Sequence, residues 1–299
     1  MTRAQAQRLI AEDSRSVEVL FPYLNGEDLN SSPTQEPSRW IINFFDWSEQ
    51  RAQTFTTCFK IVEDRVKPQR MMDKRLARRE RWWRYAETAP GLHKAIDSLE
   101  RILVITRVSK VVQPQFVRVG QVTSEAVVAF AYDDDFHFGI LSGAFHWWWA
   151  VTYASTMRTD LRYTPSDVFE TFPQAEPSGD VADLGRRLHE HRAPLMIHNN
   201  EGLTKTYNRV HNPEDSSDGI PEMRRLHVEL DHAVAAAYGW SDLDLDHQFW
   251  VTPQGRRFTV GPAAKDEILD RLLELNHARY AEEVAAGLHA KAAGRGRRR

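Results

Sequence analysis

Cysteine is nearly absent from this chain of 299 residues. The single Cys58 excludes an intrachain disulfide framework and any cysteine-based zinc finger, and a reducing, cytoplasmic setting is the simplest reading. No two prolines are adjacent, so the Asn/Asp-Pro-Pro-aromatic motif that grips the exocyclic amine of a flipped base is missing. Glycine forms no rich loop between a strand and a helix. The only Gly-x-Gly, Gly294–Gly296, lies in the tail, so a nucleotide or S-adenosylmethionine site on a Rossmann-like sheet lacks its usual entry point. No Asp or Glu stands two residues before any Lys, which removes half of a common metal-dependent nuclease site, and there is no Gly-x-Ser-x-Gly elbow. Neither sign of charge dominates: 39 basic against 42 acidic residues give a formal charge of -3, so any basic surface must be local.

Long apolar runs are few. The N-terminal MTRAQAQRLIAEDSRS has no apolar core and carries Glu12 and Asp13, so it reads as a short amphipathic helix, not a signal peptide. Phe136 to Ala154 approaches membrane-spanning length. It contains His137 and His146, follows three acids, and holds its tryptophans mid-segment, which favours a buried core helix over a bilayer span. No metal site is expected among the histidines. His189 and His191 are two apart on a helix and point away from each other, and His227 and His232 are five apart.

What is present has a clear order. Residues 17–39 carry turn chemistry throughout, with Pro22, Asn25-Gly26, Pro33 and Pro37. RWIINFFDW reads as a strand and residues 48–66 as a helix. A helix follows Pro68, with Trp82 and Trp83 near its end, and GLHKAIDSLER makes another. ILVITRVSKVVQ, FVRVGQV and EAVVAFAY are dense in β-branched and aromatic residues and predict a small, mostly antiparallel sheet. Asp133–Asp135 supply the cap and first turn of one long helix beginning at Phe136. Helices are expected over 180–198, 222–240 and 263–290, a polar loop over 201–219, and a hairpin around Gln254-Gly255. The fold class is therefore α+β: a sheet domain with flanking helices over 1–175, an all-α domain over 176–290, and a basic disordered tail over 291–299.

Three polar constellations stand out. From Arg65 to Arg84 nine basic residues face two acidic ones, with Arg78 and Arg79 near the middle. Such a run suits a phosphate backbone, though a solvated helix face is its more usual fate. Trp82 and Trp83 fit base stacking less well than a place in the core. Arg107, Ser109 and Lys110 stand at a strand end, where Arg can read guanine and Lys can hold a phosphate; by spacing alone an ordinary sheet edge protected by charge is the commoner explanation. Arg158, Asp160 and Arg162, with Tyr163, lie between apolar helices, where a structural ion-pair network and a binding loop are equally good readings. Lys205, Asn208 and Arg209 form a further polar cluster beside Tyr207.

Several segments, taken together and in order, carry a resemblance. LNGEDLNSSP, SRWIINFFDW, RRERWWRYAE, ITRVSK, FHFGILSGAFHWWWA, STMRTDLRYTPSDVFETFP, GLTKTYNRVHNP, LHVELDHAVAAAYGW and LDRLLELNHARYAEEV resemble the C-terminal part of large bacterial DNA methyltransferases of the restriction–modification and phage-defence type. Those enzymes methylate adenine N6 and often carry a nuclease on the same chain. The resemblance covers nearly all of residues 17–290.

It implies a target-recognition domain followed by a helical domain that helps clamp double-stranded DNA. It puts Arg107, Ser109 and Lys110 facing DNA, Arg158, Asp160 and Arg162 in a stretch typical of the family, and Lys205, Asn208 and Arg209 near the backbone. The catalytic motifs are absent, so the resemblance implies a specificity module that is not active alone. It has no cofactor of its own; S-adenosylmethionine would belong to a missing catalytic half, supplied by a methyltransferase or nuclease subunit. The alternative is a protein–protein docking module or remnant that associates with such an enzyme without reading DNA.

Overall fold

The computed structural model describes residues 1–157 and 160–289. The expected tail over 291–299 lies outside the described residues. Contacts divide the chain into two compact units, one formed by residues 1–106 and 115–133, the other by 107–114 and the chain from 134 onward. The chain thus enters the second unit briefly at 107 and returns at 115. This division falls elsewhere than the expected boundary near 175.

The first unit is built on two small sheets. Arg101–Thr106 is the central strand of one, antiparallel to Gln115–Arg118 and to Val127–Phe130, with Leu103 opposite both Phe116 and Phe130. Leu103, Val104 and Ile105 are fully buried. Their β-branched and aliphatic side chains suit a strand covered on both faces. In the other sheet Leu20–Leu24 lies antiparallel to Arg39–Ile42 and parallel to Val122–Thr123. An aromatic core of Phe44, Phe55, Phe59 and Trp82 packs with Cys58 and Val62.

Two expectations here are corrected. The turn-rich stretch contains the helix Gly26–Ser31, because Asn25 caps the amides of Glu27 and Asp28 while Asp28 returns a bond to the Asn25 amide. The single helix after Pro68 is two short ones, Lys67–Met71 and Leu76–Glu80. Asp73 breaks it: its carboxylate accepts the Arg75 amide at 2.9 Å, an Asx turn that competes with helical bonding.

The second unit is mainly helical. Asp134 caps Asp135–Ser142, accepting from the His137 amide at 2.8 Å, as the acidic run predicts. The expected continuous helix does not form. It breaks at Gly143, and Ala144–Tyr153 starts afresh with its first amide donating to the buried Asp231 carboxylate at 2.7 Å. Asp231 belongs to Ile220–Ala237 and thus supplies the cap from a distant part of the chain. Gly179–His198 crosses Asp135–Ser142 at a close approach, where a Cβ on Gly139 would lie 2.7 Å from the Val181 carbonyl oxygen.

The expected polar loop over 201–219 contains the helix Leu203–Val210, whose buried Leu203, Thr206, Tyr207 and Val210 recur at helical spacing. Gln248–Thr252 and Gly255–Thr259 form the expected hairpin, with Gly255 at φ 96° where glycine carries no steric penalty. Pro262–Ala285 is the final described helix. No helix among the described residues is long and apolar enough to cross a membrane.

Candidate nucleic-acid interface

A three-stranded antiparallel sheet joins two of the constellations singled out above. Asp160–Arg162 is its central strand, flanked by Val108–Ser109 and Ser155–Met157. Val108 and Ser155 both stand opposite Arg162. The Tyr163 amide extends the pairing by donating to the Arg107 carbonyl oxygen at 2.7 Å. Alternation along the strand buries Leu161 and turns Asp160 and Arg162 to the other face, with Arg162 exposed. Lys110 is exposed, Arg107 half-buried. Ser109 is buried instead, its hydroxyl accepting the Val111 amide at 3.0 Å, so it shapes the turn. Arg158 lies outside the described residues.

The chain leaving this sheet is held at both ends by arginine. Arg257 Nη2 donates to the Lys110 carbonyl oxygen at 3.1 Å, and Arg192 Nη2 donates to the Pro114 carbonyl oxygen at 2.7 Å. Between them Gln113 donates to the Ser142 carbonyl oxygen at 3.2 Å and accepts from the Tyr207 hydroxyl at 2.9 Å and Arg192 Nη1 at 3.4 Å. With its proton given to Gln113, the Tyr207 hydroxyl accepts from Arg192 Nη1 at 3.2 Å and His227 Nε2 at 2.9 Å. Arg192 is 1% exposed and pairs with no carboxylate among the described residues. Carbonyl oxygens, a phenol and the Phe138 ring, 5.0 Å from its Cζ, replace the water it gave up.

Burial keeps His227 and His211 neutral. It lowers His227 to about 4, and His211 falls well below the usual range through burial and the nearby Arg257 charge. His211 Nδ1 accepts the Phe258 amide at 3.2 Å. His247 Nε2 donates to the second Asp231 oxygen at 2.8 Å. These groups, with Lys110, line a cavity of about 50 Å³ beneath the 110–113 segment.

Arg192 and Arg257 do not stand out in the sequence, and His227 does so only as a histidine poorly spaced for a metal. The signal for Arg192 is there: with Val181, Gly185, Leu188 and Met196 it recurs at helical spacing on one buried stripe.

The remaining expected residues separate into engaged and open. Arg78 Nη1 binds the Asp73 carboxylate at 3.2 Å and Arg79 Nη1 the Asp73 carbonyl oxygen at 2.7 Å. Trp82 is buried, and Trp83 Nε1 donates to the Trp47 carbonyl oxygen at 3.0 Å, so both belong to the core. Lys205 and Asn208 are exposed, three apart on one helix face. Arg209 is held between Glu201 and Asp215, each at 3.0 Å, and also bonds Ser217.

The sequence model described as "MmeI, target recognition domain" matches residues 1–176. No curated protein matches the chain in sequence. Among solved structures, the type IIL restriction–modification enzyme MmeI in complex with DNA is similar at a TM-score of 0.63 and 17% identity, a likeness of fold. The match covers 94% of this chain and 34% of that enzyme, so the chain spans about a third of its length.

Proposed function

This chain belongs to the MmeI target recognition domain family, and from that premise we propose that it is the DNA sequence-recognition portion of a restriction–modification system. The observation that carries the reading is the sheet that joins Val108–Ser109 to Asp160–Arg162. It sets two polar segments, remote in sequence, on one small platform. Buried arginines hold the outgoing chain, and base readout needs side chains of fixed direction.

Among the described residues, Lys110 and Arg162 are exposed cations on or beside this platform, with Arg107 at its edge and Asp160 as an acceptor for a cytosine amine or a brace for a neighbouring arginine. Lys205 and Asn208 suit backbone phosphates, which position a protein on the duplex without reading sequence. Methyl transfer to adenine N6, with base flipping and S-adenosylmethionine, falls in this reading to a catalytic portion outside the residues described. Its setting is the cytoplasm, where the duplex is.

The test is binding of the purified chain to a pool of random duplexes at several salt concentrations, followed by sequencing of the retained fraction. We expect enrichment of one short motif and affinity that falls steeply with salt. Retention of no motif with no salt dependence sinks the reading. Co-purification with a methyltransferase or nuclease without any retained DNA would favour a docking module instead.

A further inference from the structure

The first unit holds a separate concentration of guanidinium groups. A cavity of about 120 Å³ is lined by Arg70, Arg78, Arg81 and Arg84 together with Tyr85, Thr88 and two alanines. Four of its eight lining residues are therefore arginines, and none is acidic. The fold creates the cluster locally. Asp73 turns the chain between Lys67–Met71 and Leu76–Glu80, which brings Arg70 to the same cavity as Arg78 of the second helix and Arg81 and Arg84 just beyond it.

The four are not equally engaged. Arg78 leans on the Asp73 carboxylate, and Arg84 Nε donates to the Trp47 carbonyl oxygen at 2.8 Å. The side chains of Arg70 and Arg81 make no hydrogen bond or ion pair with any described residue. Converging like charges repel, and the one carboxylate on this segment's turn is already shared by Arg78 and the Arg75 amide. A ligand that relieves the repulsion must be anionic and must accept many hydrogen bonds from several directions. Planar guanidinium forks match the paired oxygens of a phosphate, and the Thr88 and Tyr85 hydroxyls can donate to the same group.

We propose that this cavity is a phosphate-binding site, with Arg70 and Arg81 as the direct donors and Arg78 and Arg84 as the fixed flanks. It deepens the proposed function and rests on it in one respect: the phosphate it takes is a backbone phosphate of duplex DNA. Arg79, bound to the Asp73 carbonyl, is not part of it.

The experiment uses the full chain in three forms: unchanged, Arg70→Gln/Arg81→Gln, and Arg3→Gln/Arg8→Gln. The last loses the same charge from two exposed positions that do not line the cavity. The slope of log affinity against log salt for duplex DNA is measured for each. We expect the cavity variant to lose roughly one to two from the slope, while the control stays within a few tenths of the unchanged chain. Equal slopes for the cavity variant and the control overturn the site while leaving DNA recognition intact. If the unchanged chain binds no duplex at all, the functional reading fails. The site is then judged by inorganic phosphate: a rise in melting temperature over chloride at equal ionic strength, lost in the cavity variant alone, keeps it, and an equal rise in all three forms overturns it.

Discussion

Arg192 Nη2 lies 2.7 Å from the carbonyl oxygen of Pro114, a bond that spans 78 residues of chain. It ties a buried helix to the segment that leaves the candidate recognition sheet. The same guanidinium reaches Gln113 and Tyr207, so one side chain satisfies acceptors in three residues. Arg192→Met would relieve the burial of a charge but strand the Pro114 carbonyl and weaken Gln113. We expect a net loss of about 1–3 kcal/mol in denaturant unfolding, together with weaker DNA binding through faster release. Arg192→Lys should recover little, because one ammonium nitrogen cannot stand where both Nη1 and Nη2 meet their separate acceptors. Unchanged stability and unchanged release in both variants would refute this clamp.

The approach of Gly185 to Asp135–Ser142 makes a second prediction. A Cβ on Gly185 would overlap the Asp135 carbonyl oxygen and lie 3.0 Å from the Gly139 nitrogen, backbone atoms that cannot step aside as a flexible side chain can. Gly185→Ala should cost about 3 kcal/mol in unfolding free energy. Gly179→Ala, at the start of the same helix with nothing within 4 Å, should be neutral or stabilising by up to ~1 kcal/mol. Equal effects of the two substitutions in thermal or denaturant unfolding would contradict the close approach.

His146 gives the pH dependence its sign. It is fully buried, donates from Nδ1 to the Leu141 carbonyl oxygen, and accepts the Tyr163 hydroxyl at Nε2, both at 2.9 Å. Burial lowers it to about 4, so the unfolded chain binds the proton more readily than the folded one. Its contribution is fully present above the unfolded value near 6.5 and is lost as pH falls from there through about 4. The loss amounts to about 3 kcal/mol for this group alone. His227, lowered to about 4 by burial, acts in the same direction. Urea unfolding between pH 7 and 4.5 should show this slope, and His146→Gln should flatten it. A profile with no loss between pH 6.5 and 5 would rule out the buried neutral imidazole.

Much of this fold could be read from local patterns, and the misreadings share a cause. The aliphatic, mostly β-branched run Ile102–Ile105, the acidic cap before Phe136 and the turn at Gln254-Gly255 act through neighbours in sequence, so each is visible there. The break at Gly143 is not, because the amide it frees is satisfied by Asp231, 87 residues away. The helix Leu203–Val210 was hidden by its polar composition, although its buried stripe has the right spacing. Among the candidate site residues, Lys110 and Arg162 are exposed. Whether a cation is open or already paired depends on long-range partners, and that is why Arg79 and Arg209 looked as available as Lys110.

Lys110 and Arg209 therefore should behave in opposite ways. Lys110 is tethered through its carbonyl oxygen, leaving its side chain exposed. Lys110→Ala should change stability by less than about 0.5 kcal/mol. In the proposed function it weakens DNA binding and lowers the salt slope by roughly one. Arg209 is held by Glu201 and Asp215, with its side chain 22% exposed, and hydrogen bonds from Ser217 and Arg209 keep the Asp215 carboxyl at about 2. Arg209→Ala leaves both carboxylates without their shared partner and should cost about 1–2 kcal/mol of stability while leaving the salt slope unchanged. The two variants, each measured by denaturant unfolding and by DNA titration at several salt concentrations, distinguish a ligand-facing cation from a structural one. A salt slope reduced by Arg209→Ala without loss of stability would reverse the assignment.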